Sequence, residues 1–174
     1  MYKIGIIGHG PEYYSEPDHI LLAIENIIDL LGFQYGESTV FNVAGETGVG
    51  LWSAEIAFNR KIKYHIFLPY TFEQTCEHWY EEQKNILIKC CNRAFSITSC
   101  YPDKKHIDDS YKFLVDDSNF IICYWIGKKQ GKTFEAIKYA LETNKLVLNG
   151  LDDLKLITNL DIKNKNKNSK QKNV

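Results

Sequence analysis

The chain has 174 residues, 44% hydrophobic and 25% charged, with a formal net charge of -1. That length suits one domain with a single buried core, and the composition is that of a globular protein. No apolar run reaches the roughly 18 residues that a membrane helix needs, so a membrane span is not expected.

Residues 3–7 alternate and then run apolar, as a buried first strand does, and Gly8, His9, Gly10 and Pro11 break the run. This opening turns to glycine too early for a signal peptide. Asp18 is placed to cap a helix whose apolar positions Leu21, Leu22, Ile24, Ile27, Ile28 and Leu31 recur at helical spacing. Residues 39–43 read as the second strand. They feed a loop with three glycines, Gly45, Gly48 and Gly50, before a helical run over 51–58. Such a loop brings backbone N–H groups and a helix N-terminus to a ligand, which suits an anion such as phosphate.

Residues 64–68 form the expected third strand, stopped by Pro69. One long helix is expected over 72–91, and its aromatic residues make it the expected subunit interface. A fourth strand over 93–98, a polar loop over 101–105, a short helix over 109–115 and a strongly apolar fifth strand over 120–124 follow. A second strand-to-helix loop runs from Ile126 to Thr133, and Thr133 is placed to cap the helix that continues to Leu141. Residues 146–148 are the last expected strand, and 151–160 a terminal turn or helix.

Strands alternating with helices imply an α/β fold: one Rossmann-like, three-layer domain with a mainly parallel sheet, spanning 1–161. In such sheets ligands sit beyond the carboxyl ends of the strands, where all these loops gather. Residues 162–174 hold five lysines and no acid, so the rest of the chain carries -6. That segment has no hydrophobic period and reads as a disordered tail. The acidic body argues against broad nucleic-acid binding. The five cysteines are odd in number and include no C-x-x-C pair and no zinc spacing, so reduced thiols in a cytoplasmic protein are expected, with no metal site and no cofactor.

Gly45, Gly48 and Val49, with Gly131, Lys132 and Thr133, are candidates to hold phosphates. Thr47 offers a hydroxyl to a phosphate or closes its own turn. His9, between Gly8 and Gly10, is a ligand contact or an acid/base. Trp125, at a strand end, is placed to stack on a base. Glu46 would repel phosphate unless it faces a ribose hydroxyl or a base. Glu135 lies in a first helical turn, where the macrodipole alone favours an acid, or it is a catalytic carboxylate.

These residues also resemble a family. Ile4-Gly-Ile-Ile-Gly-His-Gly10 resembles the opening strand and turn of YpsA-like and YspA-like proteins. Gly45-Glu-Thr-Gly-Val-Gly-Leu-Trp-Ser-Ala-Glu55 resembles their glycine loop and helix start. Leu68-Pro69 with Gln74 and Trp79, Val115-Asp-Asp-Ser118 with the strand ending at Trp125, and Gly131-Lys-Thr133 with Tyr139-Ala140 and Asn144-Lys-Leu-Val147 match the same group in order. These proteins belong to the SLOG superfamily, which includes the LOG cytokinin-activating hydrolases and DprA. The resemblance implies binding of nucleotides or nucleotide-derived signals, homodimers or larger assemblies, and in some members cleavage of an N-glycosidic bond.

LOG enzymes place a glutamate three residues after the loop threonine, whereas Ala136 stands at that distance from Thr133 and Glu135 lies one residue short. The family acid is absent at Gly50, and Ser110-Tyr111 stands where relatives carry Arg-Asn. Gly131-Lys-Thr-Phe-Glu135 is also similar to the nucleophile loop of nucleoside deoxyribosyltransferases, where a carboxylate attacks a sugar carbon. The expected function is therefore binding of a nucleotide-type small molecule, in sensing or sequestration. The alternative is an N-glycosidase or ribosyltransferase using Glu135 or Glu46.

Overall fold

A computed structural model describes residues 1–100 and 109–163. The expected loop at 101–105 and the tail beyond residue 163 lie outside them. In chain order the elements are β1 (Tyr2–Gly8), α1 (Pro17–Tyr35), β2 (Thr39–Ala44), α2 (Val49–Arg60), β3 (Tyr64–Leu68), α3 (Phe72–Thr75) and α4 (Glu81–Cys91). β4 (Ser96–Ser99), α5 (Asp109–Asp116), β5 (Phe120–Tyr124), α6 (Lys132–Glu142), β6 (Leu146–Asn149), β7 (Lys155–Leu156) and α7 (Asn159–Lys163) follow.

The seven strands form one sheet in the order β4-β3-β2-β1-β5-β6-β7. All pairs are parallel except β6 with β7, so the fold is a single α/β domain with a mainly parallel sheet. The order reverses at β1: β2 to β4 extend to one side and β5 to β7 to the other. All six residues of β2 are buried, as expected of a central parallel strand covered on both faces. One face packs Ile4, Ile6, Phe41, Val43 and Ile66 under α1, α2 and α4. The other packs Ile7, Phe67, Ile121, Cys123 and Val147 under α5 and α6. Toward the N-terminal ends of the strands, Asp117 gathers Lys3 at 2.6 Å, Asn42 at 3.2 Å and His65 at 3.5 Å.

The expected helix over 72–91 is two helices, α3 and α4. Thr71 starts α3 through a capping box: its hydroxyl accepts from the Gln74 N–H, and the Gln74 side-chain oxygen accepts from the Thr71 N–H. After Cys76 the chain turns, and Tyr80 is extended (φ -67°, ψ 149°) where it starts α4. An extended residue cannot carry the helical ladder across the break. Two expected caps also differ. Glu16 and Pro17, not Asp18, start α1, and Gly131, not Thr133, is the cap residue of α6. The antiparallel β7 and the run of α7 to Lys163, past the expected boundary at 161, were not anticipated.

Candidate functional site

A cleft of about 600 Å³ opens at the carboxyl ends of β1, β2, β3 and β5, beside the point where the strand order reverses. That place is where open α/β sheets bind ligands, and the volume lies within the roughly 300–1,000 Å³ usual for small-molecule sites. Of the residues expected from the sequence, Gly8, His9, Gly10, Glu46, Thr47, Gly131, Lys132 and Thr133 come together on its walls.

The loops after β1 and β2 interlock. Gly48 has φ +83°, and a Cβ there would stand 2.5 Å from the His9 carbonyl oxygen. The Val49 N–H donates to that same oxygen at 3.3 Å, and the Val49 side chain fills the space above Gly8. The Gly45 N–H donates to the Phe67 carbonyl at 2.8 Å. Gly45, Gly48 and Val49 are buried and do not line the cleft, so their tight geometry joins one loop to the other. Glu46 and Thr47 are the part of this loop that faces the opening.

Glu46 is held from two sides. The Lys132 ammonium, at the first residue of α6, donates to Oε1 at 2.6 Å. The Tyr111 hydroxyl, from α5, donates to Oε2 at 3.0 Å. Burial and the Glu46 carboxylate push the Tyr111 phenol far above its ordinary range, so it stays a donor. The Thr133 hydroxyl is committed as well, donating to the Gly8 carbonyl at 2.8 Å and fastening α6 to the end of β1.

His9 is 6% exposed, and its Nε2 has no hydrogen-bond partner. Burial, with the nearby Lys128 charge second, lowers its pKa from the ordinary 6.5, so the ring is neutral near pH 7. Its backbone is fixed by Tyr14: the His9 N–H donates to the phenol oxygen at 3.1 Å, and that hydroxyl donates to the Tyr124 carbonyl at 2.7 Å. Burial pushes the Tyr14 pKa up to about 12.

Besides Gly45, Gly48 and Val49, two further expected residues lie off the cleft wall. Trp125 is 8% exposed, donates its indole N–H to the Lys128 carbonyl at 2.8 Å and stacks on Phe134 within the α5–α6 core. Glu135 points to solvent on α6, outside the cleft. Sequence reasoning missed Glu12, Tyr13 and Tyr111, which line the cleft. The only sequence sign of Tyr111 was its place where relatives carry Arg-Asn. Among the described residues no group of three or more His, Cys, Asp or Glu is placed to hold a metal ion, and no helix is long and apolar enough to cross a membrane.

The model of the YspA SLOG family matches residues 18–157. No curated protein matches the sequence. Three solved structures share the fold. DNA processing protein A (DprA) from Streptococcus pneumoniae is similar with a TM-score of 0.64 at 13% identity over 88% of this chain, which spans 53% of that protein. The protein TM1055 gives 0.58 at 13% identity, covering 84% of this chain and 72% of that one. A molybdenum cofactor binding protein from Rippkaea orientalis gives 0.56 at 16% identity, covering 85% and 75%.

Proposed function

The chain belongs to the YspA SLOG family, and from that premise we propose that it binds a nucleotide or nucleotide-derived small molecule in this cleft, to sense or sequester it. The observation that carries this reading is the convergence of three loops, after β1, β2 and β5, on one roomy cleft at the reversal of strand order. A binding protein named for the molybdenum cofactor shares the fold, which agrees with a small-molecule role. His9 supports it too, because an orphaned nitrogen on a cleft wall is completed by a ligand hydroxyl or amine. We propose further that the chain acts as a homodimer or larger assembly, as the family resemblance implies.

The second reading, N-glycosidic bond cleavage or ribosyl transfer, rests on Glu46, a carboxylate on the cleft wall with Tyr111 and Lys132 beside it. An oxocarbenium-like transition state needs such an acid close by. Glu135 gives this reading less support, since it lies outside the cleft.

The test is a panel of nucleosides and nucleotides, read by thermal shift and by chromatography for released base. A raised melting temperature with no release is the expected outcome. Release of base that disappears in Glu46→Gln would instead establish the enzyme, and no shift with any compound would sink the binding reading. Light scattering of the full chain checks the assembly: a mass of one 20.2 kDa chain would overturn it.

A further inference from the structure

Taking the nucleotide-type reading of the cleft as its basis, we propose that Glu46 reads the sugar: its carboxylate accepts from the vicinal 2′- and 3′-hydroxyls of a ribose, so the cleft takes ribose compounds and discriminates against their deoxy forms. The sheet sets out the order of contacts. Along its carboxyl edge the strands run β3, β2, β1, β5. The chain after β3 lines the cleft with Tyr70 and Trp79, and flat aromatic faces suit a base. The chain after β5 leads to Lys132, where α6 begins, and a helix start suits a phosphate. Between them stand the loops after β2 and β1, which bring Glu46 and His9. A nucleotide is built in the same order, because its sugar joins base to phosphate. The middle of the edge is therefore the place of the sugar.

Glu46 has the chemistry that this place needs. An ionised carboxylate only accepts hydrogen bonds, through two oxygens with about four lone-pair sites between them. The Lys132 ammonium uses one on Oε1 at 2.6 Å, and the Tyr111 hydroxyl uses one on Oε2 at 3.0 Å. Each oxygen keeps a further lone pair, two acceptors side by side, and vicinal hydroxyls are two donors side by side. The side chain is 21% exposed and lines the cleft, so a ligand reaches it. Its two tethers come from α6 and α5, and Tyr111 is buried, so the carboxylate is aimed before a ligand arrives. In doubly wound sheets that bind dinucleotides, an acid takes a ribose hydroxyl in the same way.

His9 is a second, independent sign that a polar group belongs at this point. It follows β1, the strand paired with β2, and it is 6% exposed with no hydrogen-bond partner for Nε2. An unpartnered buried nitrogen is unfavourable until a ligand completes it, and a ribose oxygen does so. The Val49 N–H bond to the His9 carbonyl, at 3.3 Å, locks the two loops together, so His9 and Glu46 keep a fixed relation. A carboxylate also pairs with the ring N–H and amino group of guanine. The place of Glu46 between the aromatic wall and the start of α6 speaks for the sugar instead.

Calorimetric titration of the full chain with the four ribonucleosides and their 5′-monophosphates, each beside its 2′-deoxy and 3′-deoxy form, tests this. At least one ribose compound binds, and removal of either hydroxyl weakens it at least about tenfold, as loss of a hydrogen bond to a charged acceptor does. Glu46→Gln turns one acceptor oxygen into a donor and shrinks that ratio at least about threefold. Tyr111→Phe leaves the carboxylate in place with one tether fewer and shrinks the ratio in the same direction, so the inference is tested even if the Glu46 variant does not fold. The ratio of two affinities for one variant is a readout that a loss of stability alone does not move. Deoxy forms that bind as tightly as their ribose forms, guanosine preferred equally with and without the hydroxyls, or a ratio unmoved in the variants that fold, overturns the inference and leaves the nucleotide reading intact. Failure of every member of the panel to bind overturns that reading, and the inference with it.

Discussion

At Gly48 two demands meet: the backbone adopts φ +83°, and the His9 carbonyl lies where a side chain would start. Alanine there must accept a strained conformation and push back the β1 loop. Gly48→Ala is expected to lower stability by roughly 1–3 kcal/mol, read from urea unfolding, with any ligand affinity falling alongside. Gly131 makes the useful contrast. Its φ is +88° but nothing lies within 4 Å of its missing Cβ, so alanine meets strain alone and the loss is smaller. Glu46 shows how far a single residue could be read in advance. Its sequence position marked it as out of place in a phosphate loop, and the structure explains why it is tolerated. The explanation, Lys132, is 86 residues away, and no local pattern links the two.

Among the elements, strands were the legible part. β3 and β5 have the bounds that their apolar runs announced, since a buried parallel strand leaves a continuous hydrophobic signature. The break between α3 and α4 was not legible. Aromatic and apolar residues continue through it, and the feature that decides is the extended backbone at Tyr80. The capping box at Thr71 had a visible pattern, Thr71-x-x-Gln74, but it lay inside what looked like one helix start. β7 is two residues long and antiparallel, too short for any periodicity. α3 carries Gln74 and Thr75 on the cleft wall, so its short length matters to the site. Thr71→Ala removes its N-cap, a loss of about 0.5–2 kcal/mol for that turn. Amide exchange in α3 should quicken while α4 is unchanged; equal quickening in both would show that the two helices act as one.

For the whole molecule, acid is the revealing stress. Burial lowers the pKa of both His9 and His65 from 6.5, in His65 with the Lys3 charge adding to the effect and Asp117 opposing it. The unfolded chain therefore takes up protons at a pH where the folded rings still refuse them. The unfolded state binds more protons in that window, so stability rises with pH there; it is fully present above 6.5 and is lost as pH falls below it. Melting temperature should drop between pH 7 and pH 5, and His65→Gln should flatten the slope. An unchanged slope in that variant would mean that His65 is not part of the effect. The mainly parallel layering was legible because alternation of strand and helix dictates it, and so was a cleft at the carboxyl ends of the strands; the strand order and its reversal at β1 were not. The electrostatic character of the cleft was not legible either, because it depends on which charges the fold brings face to face.

The tie between Glu46 and Lys132 also joins the two sides of the sheet, one residue following β2 and the other opening the helix after β5. A pair so placed has a shared inheritance. Loss of the acid leaves a lone ammonium at a helix start that already carries positive potential, and loss of the lysine leaves the Glu46 carboxylate with the Tyr111 hydroxyl alone of the two partners described. Either single step is a disadvantage that the matching step removes, so descendants of this chain should keep the pair or discard it together.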